Sequence, residues 1–140
     1  MKFAFLHKDN CYTVIKEENH QIEVEAQQLK KQGFVAFTQC LIEAEDEHTA
    51  KHVYLKRLLF GVSGSCVFCL YKETGMEVWR TKLTSSIAVP SVYNSFSIED
   101  YKIYISFGGH IVCLCAFSGL EIWKNEHKII GSSPISLFSY

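Results

Sequence analysis

The fold is decided by a segment that occurs twice, as Val67–Trp79 (VFCLYKETGMEVW) and as Ile111–Trp123 (IVCLCAFSGLEIW). The two copies lie 44 residues apart and align without a gap. Each has an apolar strand-like run, a Thr/Ser-Gly pair, an acidic residue and a tryptophan. The apolar run predicts a β-strand, and the glycine predicts a tight turn with a positive φ angle. A constant period of this length is typical of repeat architectures, so the C-terminal part is predicted to be a β-repeat.

On both sides of this segment, each copy extends into a unit of three predicted strands. The first unit has Leu59–Val62, Ser65–Tyr71 and Glu77–Lys82, and the second has Lys102–Phe107, Ile111–Ala116 and Glu121–Asn125. Residues 85–90 predict an additional strand between the units, and residues 131–135 resemble a shortened copy of it.

The first 58 residues alternate between strand and helix patterns. The predicted elements are strands Phe3–Leu6 and Cys11–Ile15, a helix over Gln21–Gln32, a strand over Phe34–Ile42 and a helix over Glu47–Leu58. Asn19 and Asp46 are the predicted N-caps of the two helices, and Gly33 is placed to end the first. Spacing predicts the buried helix faces, which are Ile22, Ala26 and Leu29 in the first helix and Ala50, Val53, Tyr54 and Leu58 in the second.

The repeated units resemble the pyrroloquinoline-quinone-type β-propeller repeat, whose blades end in a pattern like Leu-Asp-x-x-Thr-Gly-x-x-x-Trp. The positions that match are Leu70, Thr74, Gly75 and Trp79 in one copy and Leu114, Ser118, Gly119 and Trp123 in the other. The resemblance covers about residues 56–135. It implies that each tryptophan fills the gap between neighbouring blades. The aspartate of the pattern is replaced by Tyr71 and Cys115, which weakens the turn network expected from the family.

A propeller closes with about four to eight blades, and this sequence has two. Three arrangements would cover the exposed blade faces: the N-terminal helices, an association of several chains, or a partner on an open sheet edge. The helical cover is favoured. The predicted fold class is therefore α+β, with a ββαβα portion (residues 1–58) packed on a twisted antiparallel sheet of two propeller-like blades (residues 59–140). The sequence lacks the residues of a calcium-and-quinone site, so no cofactor is expected.

Composition and charge restrict the partners. The net charge is −1, with eight Lys/Arg against nine Asp/Glu in residues 1–58 and six of each in residues 59–140. Without a basic face, neither nucleic acid nor an anionic membrane is an expected partner. The N-terminal apolar run is too short for a signal peptide, and no run is long enough to span a membrane. Six cysteines in such a chain predict reduced thiols and a cytoplasmic location.

Metal binding has one candidate set, formed by the repeat itself. The residues are Cys66, Cys69, His110 and Cys113, which is the inventory of a structural zinc site. Residues three apart on a strand point to opposite faces, so this spacing favours small core residues over ligands. His48 and His52 share a helix face, but the H-E-x-x-H pattern of zinc proteases is absent, which favours a solvated face.

Catalysis has no motif to support it, although a small thiol-dependent enzyme or hydrolase is an alternative. The cysteines lie mostly in predicted strands, whereas reactive thiolates are stabilised at exposed, electropositive positions. The chain also has no G-x-S-x-G elbow.

The segment Ser91–Asp100 is the best candidate for recognition, because aromatic side chains among small polar residues suit binding surfaces. The candidate residues are Tyr93, Phe96, Glu99 and Asp100. The alternative is that Tyr93 and Phe96 belong to another blade strand. The predicted function is a non-catalytic protein-interaction module, in a specific form a small bacterial immunity-type protein that neutralises a toxin. A third hypothesis is a partial propeller that assembles with copies of itself.

Overall fold

Three antiparallel sheets and two helices make up the part of the chain that the computed structural model describes, namely residues 1–17, 22–35, 41–84, 93–107 and 110–126. The elements are β1 (Lys2–Lys8), β2 (Cys11–Lys16), α1 (Ile22–Lys31), β3 (Leu41–Glu43), α2 (Glu47–Lys56), β4 (Leu58–Ser63), β5 (Cys66–Tyr71), β6 (Glu77–Lys82), β7 (Tyr93–Glu99), β8 (Lys102–Phe107), β9 (His110–Cys115) and β10 (Glu121–Glu126). The sheet orders are β2-β1-β3, β4-β5-β6 and β10-β9-β8-β7. The fold is therefore α+β.

The number of sheets differs from the prediction of one twisted sheet built from two blades. Each blade is a separate sheet, here called blade 1 (β4 to β6) and blade 2 (β7 to β10). The N-terminal strands form a third sheet, because β1 pairs with β2 on one side and β3 on the other. Blade 2 has a fourth strand, because β7 pairs with β8.

Several predicted boundaries also change. The strand expected over Phe34–Ile42 is present as an isolated bridge between Val35 and His7 and as β3; residues 36–40 lie outside the described part. Leu58 starts β4 instead of ending α2. The predicted N-cap Asn19 and the segments 85–90 and 131–135 also lie outside the described residues.

The two helices form where the apolar spacing predicts. Ile22 of α1 is buried, with Ala26 and Leu29 packed beside it against a small cluster under the N-terminal sheet. Gly33 follows α1 with a φ of 96°. In α2, Ala50 and Tyr54 are buried. The carboxylate of Asp46 accepts a 2.7 Å hydrogen bond from the backbone N–H of Thr49, which caps the helix.

A single apolar cluster joins all three sheets and α2. Its fully buried members include Phe3, Phe5 and Ile42 from the N-terminal sheet, Ala50 and Tyr54 from α2, Val67 and Cys69 from blade 1, and Ile103, Val112 and Leu114 from blade 2. Since the N-terminal sheet, α2 and both blades contribute to it, the described parts of the two predicted portions share one core.

Polar side chains at the centre of this core form a hydrogen-bonded chain. His7 Nε2 lies 2.5 Å from the hydroxyl of Tyr54, which lies 3.0 Å from the hydroxyl of Tyr71. The Tyr54 ring stacks on Phe5 at 4.0 Å between centroids and on Phe117 at 5.8 Å. Burial lowers the pKa of His7 to about 4, and the backbone of Phe117 acts in the opposite direction. The imidazole is therefore neutral at pH 7 and can share a proton with a tyrosine hydroxyl.

The lowered pKa of His7 predicts a loss of stability in acid. Between about pH 6.5 and pH 4 the unfolded chain holds a proton on His7 that the folded protein does not, so stability falls as the pH is lowered through this window. The expected loss from this residue is on the order of 3 kcal/mol. Urea denaturation at several pH values measures it.

The matched control is His7→Gln, which keeps a polar side chain beside Tyr54 but does not titrate. The difference in unfolding free energy between wild type and His7→Gln should shrink as the pH falls from about 6.5 to 4. A pH-independent difference would contradict the buried neutral histidine.

The two blades meet at a contact that we call the blade junction. Trp79 of blade 1 is buried, and its Nε1 donates a 2.9 Å hydrogen bond to the carbonyl of Ala116 in blade 2. Thr81 Oγ1 donates to the carbonyl of Gly119 at 2.6 Å. Asn10 Nδ2, from the turn between β1 and β2, donates to Thr81 Oγ1 at 3.0 Å and to the carbonyl of Ser118 at 2.9 Å. The N-terminal hairpin thus closes the junction.

Close approach of Trp79 makes Gly119 the most restricted residue of the junction. Its φ is 70°, and a Cβ atom there would lie 2.3 Å from Trp79 Cε3. Gly119→Ala combines a left-handed alanine, at about 1–2 kcal/mol, with overpacking, at about 1–3 kcal/mol. Chemical denaturation should show a loss of roughly 3 kcal/mol in total.

Gly64 gives the matched control for Gly119→Ala. It also has a positive φ, 57°, but no described atom lies within 4 Å of where its Cβ would be. Gly64→Ala should therefore lose only the backbone component, about 1–2 kcal/mol. Equal losses at both positions would show that Trp79 does not pack on Gly119.

Candidate partner-binding cleft

The turn between β7 and β8 has an unusual backbone. Glu99 pairs with Lys102, so Asp100 and Tyr101 form a two-residue hairpin turn. Both have positive φ angles, 48° and 61°, as in a type I′ turn, where Asn and Gly are the preferred residues. A left-handed tyrosine costs about 1–2 kcal/mol, so other contacts must hold it in this conformation.

Those contacts come from α2 and from the core. The hydroxyl of Tyr101 donates to the backbone carbonyl of His48 at 3.2 Å and lies 3.2 Å from its Nδ1. The ring of Tyr101 packs against Phe117 with 5.4 Å between centroids. Tyr101 therefore ties the β7–β8 turn to the N-terminal end of α2.

A cleft of about 300 Å³ lies between α2 and this turn. We call it the α2 cleft. Its lining residues are His48, His52, Leu55, Ile98, Glu99, Asp100 and Tyr101. Leu55 and Ile98 give it apolar surface, and Glu99 and Asp100 give it two carboxylates. This combination suits a side chain with an apolar stem and a positively charged end, which is the chemistry of lysine and arginine.

The four residues predicted for recognition do not all lie at the same site. Glu99 and Asp100 line the α2 cleft. Phe96 is half-buried and packs against the central core cluster. The side chain of Tyr93 lies outside the part that the structure describes. The segment from Tyr93 to Glu99 is strand β7, as the alternative prediction had it.

The four candidate metal ligands do not form a site. Cys66 and Cys69 lie on β5 of blade 1, whereas His110 and Cys113 lie on β9 of blade 2, in a different sheet. Within the described ranges, no three His, Cys, Asp or Glu side chains are close enough to hold a metal ion. His48 and His52 line the α2 cleft instead.

Cys69 and Cys113 are buried, whereas catalytic cysteines lie in exposed, electropositive surroundings. Cys69 and Cys113 have buried side chains, and desolvation raises the pKa of each thiol above its ordinary value. Lys102 acts in the other direction on the pKa of Cys113, but desolvation is the larger effect. At neutral pH both residues are therefore protonated thiols, whereas nucleophilic cysteines have lowered pKa values.

Thiol labelling should distinguish these cysteines from an exposed one. In native, reduced protein we expect Cys11, which is exposed, to react with a thiol reagent well before Cys69 and Cys113, which should react only after unfolding. Mass spectrometry of labelled peptides with and without denaturant gives the order, and Cys11→Ser identifies the fast phase. Rapid native labelling of Cys69 or Cys113 would contradict their burial and would favour the thiol-enzyme hypothesis.

Sequence reasoning identified both sides of the α2 cleft without bringing them together. It named His48 and His52 as a helix face and Glu99 and Asp100 as recognition candidates, but it gave no role to Tyr101. The available signal was the two-residue gap, Asp100-Tyr101, between two strand patterns, which is the length of a tight hairpin turn. That signal gives the turn, but not the helix that the turn meets.

Another cleft, of about 280 Å³, lies where the β1–β2 turn approaches β6. It is lined by His7, Lys8, Asp9, Gly33, Val35, Glu77 and Val78. Lys8 donates a 2.8 Å hydrogen bond across it to the carbonyl of Gln32. Lys8 is already hydrogen-bonded, and the cleft has charges of both signs. It therefore indicates the charge of a binding partner less clearly than the α2 cleft does.

No protein-family model and no curated protein matches this chain. Neither of the helices in the described ranges has the length and apolar character needed to cross a membrane.

Proposed function

We propose that this chain is a non-catalytic protein-interaction module, and that its α2 cleft receives a lysine or arginine side chain of a partner protein. The observation that carries the proposal is the left-handed Tyr101, which fixes the acidic turn against α2. Strained backbone conformations persist where the surrounding structure holds them, and they cluster at binding and catalytic sites.

The charges of the α2 cleft support a cationic contact. Glu99 and Asp100 are adjacent in sequence and both line it. Lys51 of α2 is paired with Glu47 at 2.8 Å, and it is not one of the residues that line the cleft. A partner's cation would therefore meet two carboxylates beside apolar surface and could form charge-assisted hydrogen bonds, which are stronger than neutral ones.

The rigidity of the site favours recognition of a protein. The cleft lies between a capped helix and a two-residue hairpin, each tied to the central core. A preorganised site loses little conformational entropy on binding, so a small number of contacts can give useful affinity. Ile98, which is 39% exposed, extends the apolar surface along β7.

The narrower form of the proposal is a cytoplasmic immunity-type protein whose partner is a toxin. An acidic, preformed cleft would suit a toxin with an exposed basic residue, since opposite charges speed encounter and select the partner. This form also requires that binding of the chain abolishes the toxicity of its partner.

Site-specific photo-cross-linking in cells tests the wider proposal. A photoreactive amino acid at position 98 should give a discrete adduct with one partner protein. Glu99→Lys and Asp100→Lys, tested separately, should each weaken that adduct by at least tenfold, because each places a cation where the partner's cation binds. The matched control carries the photoreactive residue at Val35, which is 47% exposed and lines the other cleft.

An adduct at position 98 that is unaffected by either charge reversal would contradict the cationic contact, and no adduct at all would contradict the site. Co-expression then tests the toxin form. Cells that produce the cross-linked partner should grow only with the wild-type chain and not with Asp100→Lys. A non-toxic partner would contradict the proposal that the partner is a toxin, but it would not contradict the binding site.

A further inference from the structure

The blade junction has two parts, and the repeat gives each of them a copy 44 residues away in the sequence. One part, the donor half, is Trp79 with Thr81, and its copies are Trp123 and Asn125. The other part, the acceptor half, is the turn from Ala116 to Gly119, and its copy is the turn from Lys72 to Gly75. Within the chain, the donor half of blade 1 meets the acceptor half of blade 2.

The two acceptor turns have the same backbone structure. Gly75 N–H donates to the carbonyl of Tyr71 at 2.8 Å, and Gly119 N–H donates to the carbonyl of Cys115 at 2.8 Å. Their φ angles are 72° and 70°. In both turns the Thr/Ser hydroxyl accepts from the N–H two residues later, at 3.3 Å from Met76 N and 3.2 Å from Leu120 N. The turn of blade 1 is therefore already in the conformation that binds a tryptophan in blade 2.

The acceptor turn of blade 1 is open. A Cβ atom on Gly119 would collide with Trp79, but no described atom lies within 4 Å of the corresponding point at Gly75. The turn residues Lys72, Glu73 and Thr74 are exposed, and Met76 beside them is 45% exposed. The carbonyls of Lys72 and Gly75 occupy the positions of the two acceptors at the blade junction.

The donor half of blade 2 is exposed as well. Trp79 is 3% exposed, whereas Trp123 is 44% exposed. Ile122, which is next to Trp123 on β10, is 49% exposed. Asn125 is exposed at the position equivalent to Thr81, and its amide can donate a hydrogen bond as the threonine hydroxyl does.

We propose that copies of this chain associate head to tail through a second blade junction, in which Trp123 of one copy packs on Gly75 of the next. Trp123 Nε1 then donates to the carbonyl of Lys72, as Trp79 Nε1 does to that of Ala116. Asn125 donates to the carbonyl of Gly75, as Thr81 does to that of Gly119. We assign a second copy as the partner because each chain has both an exposed donor half and an exposed acceptor half, and these have the sequence and turn conformation of the halves that already bind each other within the chain.

Such an interface is heterologous, because two different surfaces meet, and it closes into a ring if the rotation per copy permits. Each copy supplies two blades, so a closed ring of about four to eight blades would contain between about two and four chains. The α2 cleft is built from other residues, and this inference does not depend on the proposed function.

Light scattering on freshly reduced protein tests the proposal, with one variant for each half. The wild-type chain should show a mass of at least twice the 16.0 kDa of one chain. Trp123→Arg breaks the donor half and Gly75→Arg breaks the acceptor half, so each alone should have the mass of one chain. An equimolar mixture of the two variants should have twice that mass, since one intact donor half still meets one intact acceptor half.

Two further variants separate assembly from folding. Gly64→Arg has the same left-handed strain at an open turn outside the proposed interface, and it should assemble as the wild type does. Met76→Arg replaces Gly75→Arg if the latter does not fold by circular dichroism. A wild-type chain that has the single-chain mass up to millimolar concentration would overturn the proposal. So would single variants that assemble normally, or a mixture that stays at the mass of one chain.

Discussion

The hydrogen-bonded contact of Tyr54 with His7 and Tyr71 is the constraint on which the rest of the structure depends. Tyr54 comes from α2, His7 from the N-terminal sheet and Tyr71 from blade 1, and Phe117 of blade 2 stacks on the Tyr54 ring. One side chain therefore contacts all three sheets. Because a buried polar group without a partner costs free energy, the hydrogen bonds of the Tyr54 hydroxyl to His7 Nε2 and to the Tyr71 hydroxyl stabilise this placement of the sheets around α2.

The position of α2 in turn creates the α2 cleft. The helix is anchored in the core by Ala50 and Tyr54, and its N-terminal end contacts the β7–β8 turn through His48. A shift of α2 would separate the histidines from Glu99 and Asp100. The site is therefore a consequence of core packing, and its precision comes from elements that are themselves rigid.

Local elements could be predicted from the sequence because the physics that determines them is local. The apolar spacing of Ile22, Ala26 and Leu29 gave α1, the Asp46 cap gave the start of α2, and the Thr/Ser-Gly turns gave the strand limits of both blades. Contacts between elements left no such signal. Nothing in the sequence around His7 indicates that its partner is Tyr54, 47 residues later. The third sheet and the α2 cleft were missed for the same reason, and strand β7 was predicted only as the alternative to a recognition segment.

The amide of Asn10 connects residues that are far apart in the sequence, and this has a consequence for the order of folding during synthesis. Each blade turn is closed by bonds between residues a few positions apart, and the Trp79 bond spans 37 positions. The bond from Asn10 to Ser118 spans 108. Local contacts form fastest, and long loops close last. The ribosome makes the N-terminal hairpin first. Phe5 and His7 therefore lack their contact with Phe117 until that residue has been translated. During that interval the apolar face of β1 is open to other molecules in the cell.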